Sequence, residues 1–374
     1  MDNVTHSLIG TALAELALPG AATRPVRRLF VYTGIIAANL PDADLVYTRI
    51  TPPPLGYLLH HRGHTHTIVG AAALAVVVGL IAFLPGIRRT VAPVRARFWT
   101  LVAASLASHL VLDWWNSYGI HPFFPVDNRW YYGDAISIIE PWIWALLGVA
   151  AALNATRAWA RVTIAGALVA LSVMLSRMGW LTLTPALVVI AGAAVFAAIV
   201  WRLTPRARST VALAATALFV AGMFVSSAVA RRRVLAAFPP GPGGRIVDVI
   251  MSPGTAVPSR WSFIVIEKNE GAGEYVMRRG ATRLAWGERI SDVQNVRQSL
   301  GRLRELDRND CSVRAWLQFG RAPVIGQGEI TDFRFGGAAR DNFTTMQLSV
   351  GPEAGRCPPN LTDWGRPRRD LLSP

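Results

Sequence analysis

Between His60 and His66 the chain reads His-His-Arg-Gly-His-Thr-His, which gathers four of its seven histidines into seven positions. The others are His6, His109 and His121, so no histidine follows residue 121. Shortly before the cluster stands Leu40-Pro41-Asp42-Ala43-Asp44, and well after it comes Ser108-His109 with Asp113. Imidazole nitrogens mixed with carboxylate oxygens are the donors that zinc and its divalent first-row neighbours take. His109 and Asp113, four residues apart, share one face of a helix. Asp42 and Asp44 flank a bend after Pro41, and Gly63 allows a turn tight enough to bring His61 and His66 together. With His6 these residues form the expected ligand set: His6, Asp42, Asp44, His61, His66, His109 and Asp113.

The chemistry that follows is hydrolysis. More than four candidate ligands suit one or two ions, which activate water near neutral pH and stabilise attacking and leaving oxygens. Arg62 is placed to hold an anionic oxygen, and that favours a phosphoester over other esters and amides. Asp134 and Glu140 are the candidates for a general base or for orienting ligands, although a solvated loop acid and a helix-start acid describe them equally well. Asp42 and Asp44 have helix capping as their competing use. His60, His64 and His121 read as supporting or surface groups.

The elements that must position these residues are membrane helices. The chain has 374 residues, 52% of them hydrophobic and only 16% charged, and the apolar residues gather in runs before about residue 230. Eight runs are expected to span: 4–18, 29–46, 68–84, 98–115, 136–153, 162–175, 186–201 and 211–230. The net charge of +15 is carried almost wholly by Arg, with Lys268 the single lysine, and these cations lie between apolar runs. Membrane topology accounts for them, so no nucleic-acid partner is expected. Met1-Asp2-Asn3 lacks the basic start of a signal peptide, and the N-terminal segment is expected to be retained.

Threading eight spans separates the loops into two sets. One holds twelve arginines, from Arg24, Arg27 and Arg28 through Arg157 and Arg161 to Arg208; the other holds Arg49, Arg62, Arg129 and Arg177. The Arg-rich set is expected to be cytoplasmic, and every candidate ligand then falls on the opposite, extracytoplasmic face.

Thr5-His6, Leu40-Pro41-Asp42-Ala43-Asp44, His61-Arg62-Gly63-His64-Thr65-His66 and Ser108-His109 followed by Asp113 resemble the YdjM-like family of membrane-bound metal-dependent hydrolases. The resemblance covers roughly residues 1 to 145. It implies an inner-membrane protein and marks His6, Asp42, Asp44, His61, His66, His109 and Asp113 as functional positions.

Beyond Arg231-Arg232-Arg233 and the linker from Pro239 to Gly244, short β-rich runs are expected at 245–251, 261–267, 274–277, 313–319, 330–335 and 344–350. Cys311 and Cys357 can pair if this tail lies outside the cytoplasm. The expected architecture is an all-α polytopic membrane domain (residues 1–233), a linker (234–244) and a small β-rich extracytoplasmic domain (245–374). Its expected function is metal-dependent hydrolysis, with zinc, of a phosphoester in a membrane lipid or lipid-linked substrate. The alternative is a metal-binding membrane transporter or sensor without turnover, but the later spans lack the polar groups that a transport path needs.

Overall fold

The computed structural model describes residues 1–284, 290–336, 342–348, 357 and 368–373. Helix α1 (Asn3–Ala17) starts where the Asp2 carboxylate accepts hydrogen bonds from the Thr5 N–H and hydroxyl, at 3.0 and 2.7 Å. It packs against α2 (Arg24–Asn39) through Gly10 and Gly34, and a methyl group on either glycine would lie 2.2 Å from the other's carbonyl oxygen. Only glycine permits backbones this close. From Leu40 to Ile50 the chain continues in 3-10 turns, leading into α3 (Leu55–His60). The Thr67 hydroxyl, accepting from the Gly70 N–H, then caps α4 (Ile68–Ala82). The short α5 (Pro85–Val91) and α6 (Arg95–Trp114) follow. A long loop leads to α7 (Pro141–Asn154), then α8 (Ala158–Arg177), α9 (Leu183–Val200) and α10 (Pro205–Ala237).

Eight spans are not supported. Four segments are long and apolar enough to cross a membrane, namely 24–50, 158–177, 183–200 and 205–237; a fifth counts if 55–66 and 68–82, bent by 70°, form one broken span. The other expected spans fail for physical reasons. α1 has 15 residues and buries Thr5, His6 and Glu15. α6 carries Arg95, Arg97, His109 and Asp113. α7 has 14 residues, or about 21 Å of helix, against the ~30 Å of a hydrocarbon core. These three helices are packed within the bundle.

The tail holds a four-stranded antiparallel meander of β1 (Arg245–Gly254), β2 (Val257–Asn269), β3 (Glu274–Arg283) and β4 (Ser291–Ser299). Val249 pairs with Val265, and Ile266 with Met277. A second sheet joins β5 (Pro323–Ile325), β6 (Glu329–Asp332) and β7 (Met346–Gln347). Between the sheets lie α11 (Leu300–Asn309) and α12 (Cys311–Trp316), and α13 (Arg369–Leu372) ends the chain. The run at 313–319, expected to be a strand, is therefore largely helical, because the Asp310 carboxylate caps it through the N–H groups of Ser312 and Val313. The expected run at 344–350 lies partly outside the described residues. Cys311 is disulfide-bonded to Cys357.

Arg231–Arg233 sit inside α10, which runs on to Ala237. The tail packs directly against the helices. Val249, Met251, Trp261 and Phe263 share a core with α1, α7 and α10, and Leu58, Leu59 and Tyr118 share another with Tyr275, Trp316 and Phe333.

A buried ion network locks the joint. The Asp134 carboxylate receives two N–H groups of Arg321 at 2.9 Å each, and the same guanidinium donates to Asp248 at 2.8 Å and stacks 3.8 Å over the Tyr132 ring. Replacing Arg321 by Ala would leave the buried Asp134 carboxylate without its cation, while Asp248 keeps Arg368. The expected cost is about 3–5 kcal/mol, read as a lowered thermal unfolding midpoint in detergent; an unchanged midpoint would contradict this account of the joint.

Candidate metal centre

The turn that carries the histidine cluster is built around Asp44. Arg62 adopts a left-handed backbone (φ 65°), a conformation that costs a non-glycine residue about 1 kcal/mol or more. Gly63, expected to supply the turn, has φ −75° instead. The left-handed kink lets the Arg62 N–H donate to Asp44 Oδ2 at 3.0 Å, while the Thr65 hydroxyl donates to the same oxygen at 2.8 Å. His61 Nδ1 then meets Asp44 Oδ1 at 3.0 Å, and His66 Nδ1 meets Asp44 Oδ2 at 3.1 Å. Asp44 thus fixes both imidazoles by their Nδ1 edges.

His109 is fixed in the same way by a different acceptor. Its Nδ1 donates to the Ala38 carbonyl at 2.7 Å, at the end of α2. With both Nδ1 atoms acting as donors, the Nε2 lone pairs of His66 and His109 point into one space, and the two Nε2 atoms are 3.0 Å apart. Two lone pairs cannot bond each other, so the pair demands a proton or a cation between them. Two carboxylates close the space: His66 Nε2 is 3.3 Å from Asp42 Oδ1 and 3.2 Å from Asp113 Oδ2, and His109 Nε2 is 3.5 and 3.7 Å from the same atoms.

Asp42, His66, His109 and Asp113 thus offer four ligand atoms that all lie within 4.8 Å of one another. Two nitrogens and two oxygens, with each imidazole anchored through its far nitrogen, are what a divalent first-row ion takes. His6 is also at hand. Its ring stacks on His109 with centroids 3.9 Å apart, its Nε2 is 3.6 Å from Asp113 Oδ1, and neither ring nitrogen has a hydrogen-bond partner among the described residues although the residue is wholly buried. A buried imidazole without a partner is costly unless it can bind something. A second group, Asp44, His61 and His66, shares His66 with the first, but both of its imidazoles contact Asp44 as orienting partners.

Arg62 is less free than its sequence position suggests. One guanidinium nitrogen donates to Asn116 Oδ1 at 3.2 Å and reaches the carbonyls of Asp113 and Gly119, and the other meets Asp113 Oδ1 at 3.0 Å. The Met1 amino group also contacts Asp113 Oδ1. Arg62 therefore braces Asp113 and the following loop, with Tyr118 4.8 Å beneath it. His60 bonds the Thr51 hydroxyl, His121 holds the Arg62 carbonyl, and His64 is exposed beside Phe124, which gives all three supporting or surface places.

Asp134 and Glu140, for which a catalytic and a structural reading stand level in the sequence, have structural partners. Asp134 is committed to Arg321. Glu140 caps α7, accepting the Trp142 N–H at 3.3 Å. The partners that sequence reasoning missed are Ala38, whose carbonyl carries no side-chain signal, and Asn3, whose amide donates to Asp42 Oδ2 at 2.8 Å.

All these ligand positions fall within residues 1–183, the stretch that matches the family described as YdjM inner membrane protein. Over those 183 residues the chain is similar to the YdjM family. The chain is 36% identical over 110 residues to "Inner membrane protein YbcI" of Escherichia coli, covering 29% of this chain and 58% of that one. It is 28% identical over 146 residues to "Uncharacterized protein YfhP" of Bacillus subtilis, covering 38% and 43%. The chain thus spans about half the length of the curated relatives it matches. No solved structure matches it significantly. The match to the YdjM inner membrane protein family and the four or five apolar spans are the features of a multi-pass inner membrane protein.

Two outcomes follow from this geometry. His109→Ala and Asp42→Asn should each lower bound zinc or manganese by at least about tenfold in elemental analysis of detergent-purified protein, while His64→Ala leaves it unchanged; equal metal content in all would refute the ligand set. Glu140 titrates independently of the centre. Burial pushes its carboxyl up to about 8, against the pull of the Trp142 and Ala256 N–H groups. The folded protein holds this proton where the unfolded chain, with a carboxyl near ~4.3, has lost it. Stability should therefore fall as pH rises from about 4.3 through about 8, and Glu140→Gln should flatten that slope in thermal melts; parallel slopes would exclude the assignment.

Proposed function

We propose that the protein is a membrane-bound metal-dependent hydrolase of a phosphoester carried by a membrane lipid or lipid-linked substrate. The observation that carries this reading is the pair of Nε2 lone pairs on His66 and His109, facing one space between Asp42 and Asp113. His66, His109, Asp42 and Asp113 would hold a divalent ion, with zinc the natural choice for this donor set, and His6 would complete it. Such an ion supplies Lewis-acid polarisation of the scissile group and of water.

The remaining work falls to the chain. A cavity of about 210 Å³ lies against the centre, lined by Asp42, His61, Arg62, Tyr57 and Tyr118. His61, held by Asp44 through Nδ1, has its Nε2 left to take a proton from attacking water. Arg62 keeps Asp113 in place and supplies positive charge at the cavity wall, where a phosphate oxygen would lie.

The extracytoplasmic side fits the centre and the tail together. The Arg-rich helix ends lie at the opposite end of the bundle from the centre, and a disulfide between Cys311 and Cys357 suits an oxidising compartment.

The test is phosphodiesterase activity of detergent-purified protein against a panel of lipid phosphoesters. Wild type should turn over at least one of them, His61→Ala should lose about 100-fold or more in kcat with metal content retained, and His109→Ala should lose both metal and activity. Stoichiometric metal with no hydrolysis across the panel would instead point to a metal-binding transporter or sensor.

A further inference from the structure

A cleft of about 650 Å³ runs along α1 from Ser7 to Glu15 and along α2 from Arg27 to Ile35, flanked by the end of α7 and the start of α8, and its basic end is the one away from the metal centre. We propose that this cleft binds the headgroup of an anionic phospholipid at the Arg-rich membrane surface. Its polar lining contains three guanidinium groups, Arg27, Arg28 and Arg157, and one carboxylate, Glu15. Glu15 is buried and already paired with Arg27, which also donates to the Asn154 carbonyl at 3.2 Å. Arg28 and Arg157 are exposed, and neither guanidinium has a hydrogen-bond or ion-pair partner among the described residues. Three cations against one anion leave a net charge of +2 facing an open cleft.

The rest of the lining specifies a lipid as the bearer of the matching charge. Leu8, Val31, Ile35 and Ile164 form an apolar strip beside the arginines. Val31 and Ile35 lie on α2 and Ile164 on α8, so the strip follows two segments long and apolar enough to span the bilayer, deep enough for an acyl chain. Tyr32 and Trp159 are 62% and 65% exposed at the mouth, where amphipathic rings sit at headgroup level. A guanidinium fork receives phosphate oxygens in pairs, and two forks without internal carboxylate partners favour a headgroup that keeps its negative charge. Basic clefts between helices at the cytoplasmic surface suit such lipids on general grounds. The cleft shares no residue with the metal centre, so the two assignments stand or fall separately.

Native mass spectrometry of the full chain in detergent, titrated with dioleoyl phosphatidylglycerol or phosphatidylcholine, tests the assignment. Phosphatidylglycerol should bind preferentially. Arg28→Gln and Arg157→Gln should each weaken it about fivefold, and the Arg28→Lys/Arg157→Lys double variant should retain most of the binding. Arg206→Gln, an exposed arginine at the same end but outside the cleft, should have no effect. Three results would each overturn the proposal: equal binding of the two lipids, losses for Arg28→Gln and Arg157→Gln no larger than for Arg206→Gln, or displacement of the lipid by millimolar inorganic phosphate.

Discussion

A buried carboxylate organises this molecule. Asp113 lies at the end of α6, 1% exposed, and its two oxygens face His6, His66, His109, the Arg62 guanidinium and the Met1 amino group. An unpaired carboxylate in such a place would cost several kcal/mol, so the groups around it have to arrive together. They come from α1, the histidine turn and α6 itself. Much of the fold is the means of bringing those segments to one point: the glycine contact between α1 and α2, the left-handed turn at Arg62, and the loop after α6 that supplies Asn116 and Gly119 to the arginine.

The same constraint explains why the β-rich tail is docked where it is. The loop from Ser117 to Asp134 lies between Arg62 and the tail. Its Tyr118 lies beneath the Arg62 guanidinium, stacks on Phe343 and meets Phe319 edge-on and Phe335 at a tilt, its Ser117 carbonyl accepts from Arg334, and its Asp134 is held by Arg321. The tail contributes no ligand among the described residues. What it does is immobilise the loop on which the brace of Asp113 rests, and rigid support of that kind keeps a ligand set within reach of one ion.

The centre was more legible in the sequence than the bundle was. Asp42, His66, His109 and Asp113 could be read from residue type and spacing, because metal-ligand chemistry restricts both and because His109 and Asp113 needed only a helix to meet. Asp44 was visible as a candidate, but its place as the shared anchor of His61 and His66 depends on the backbone at Arg62, which no residue type announced. Asp134 and Glu140 read equally well as chemical and as structural acids, and only Glu140 before Pro141 carries a local sign of its helix-start place. Their partners, Arg321 and the Trp142 and Ala256 N–H groups, lie in distant segments or in the backbone. The span count failed where apolar runs were short or carried ligands, since α1, α6 and α7 gain their stability from neighbouring helices rather than from lipid. The helix at Cys311–Trp316 was hidden because its apolar run reads equally as a strand until the Asp310 cap is counted.

The contact between Gly10 and Gly34 has a bearing on how anything reaches His6. With two backbones in van der Waals contact, the seam between the first two helices admits no hydrocarbon tail, and sideways entry from the bilayer is shut along that wall. One opening lies at the polar end, between Tyr57 and Tyr118. A reactant anchored in the lipid and using that opening would have to lift its head out of the leaflet and present it from above.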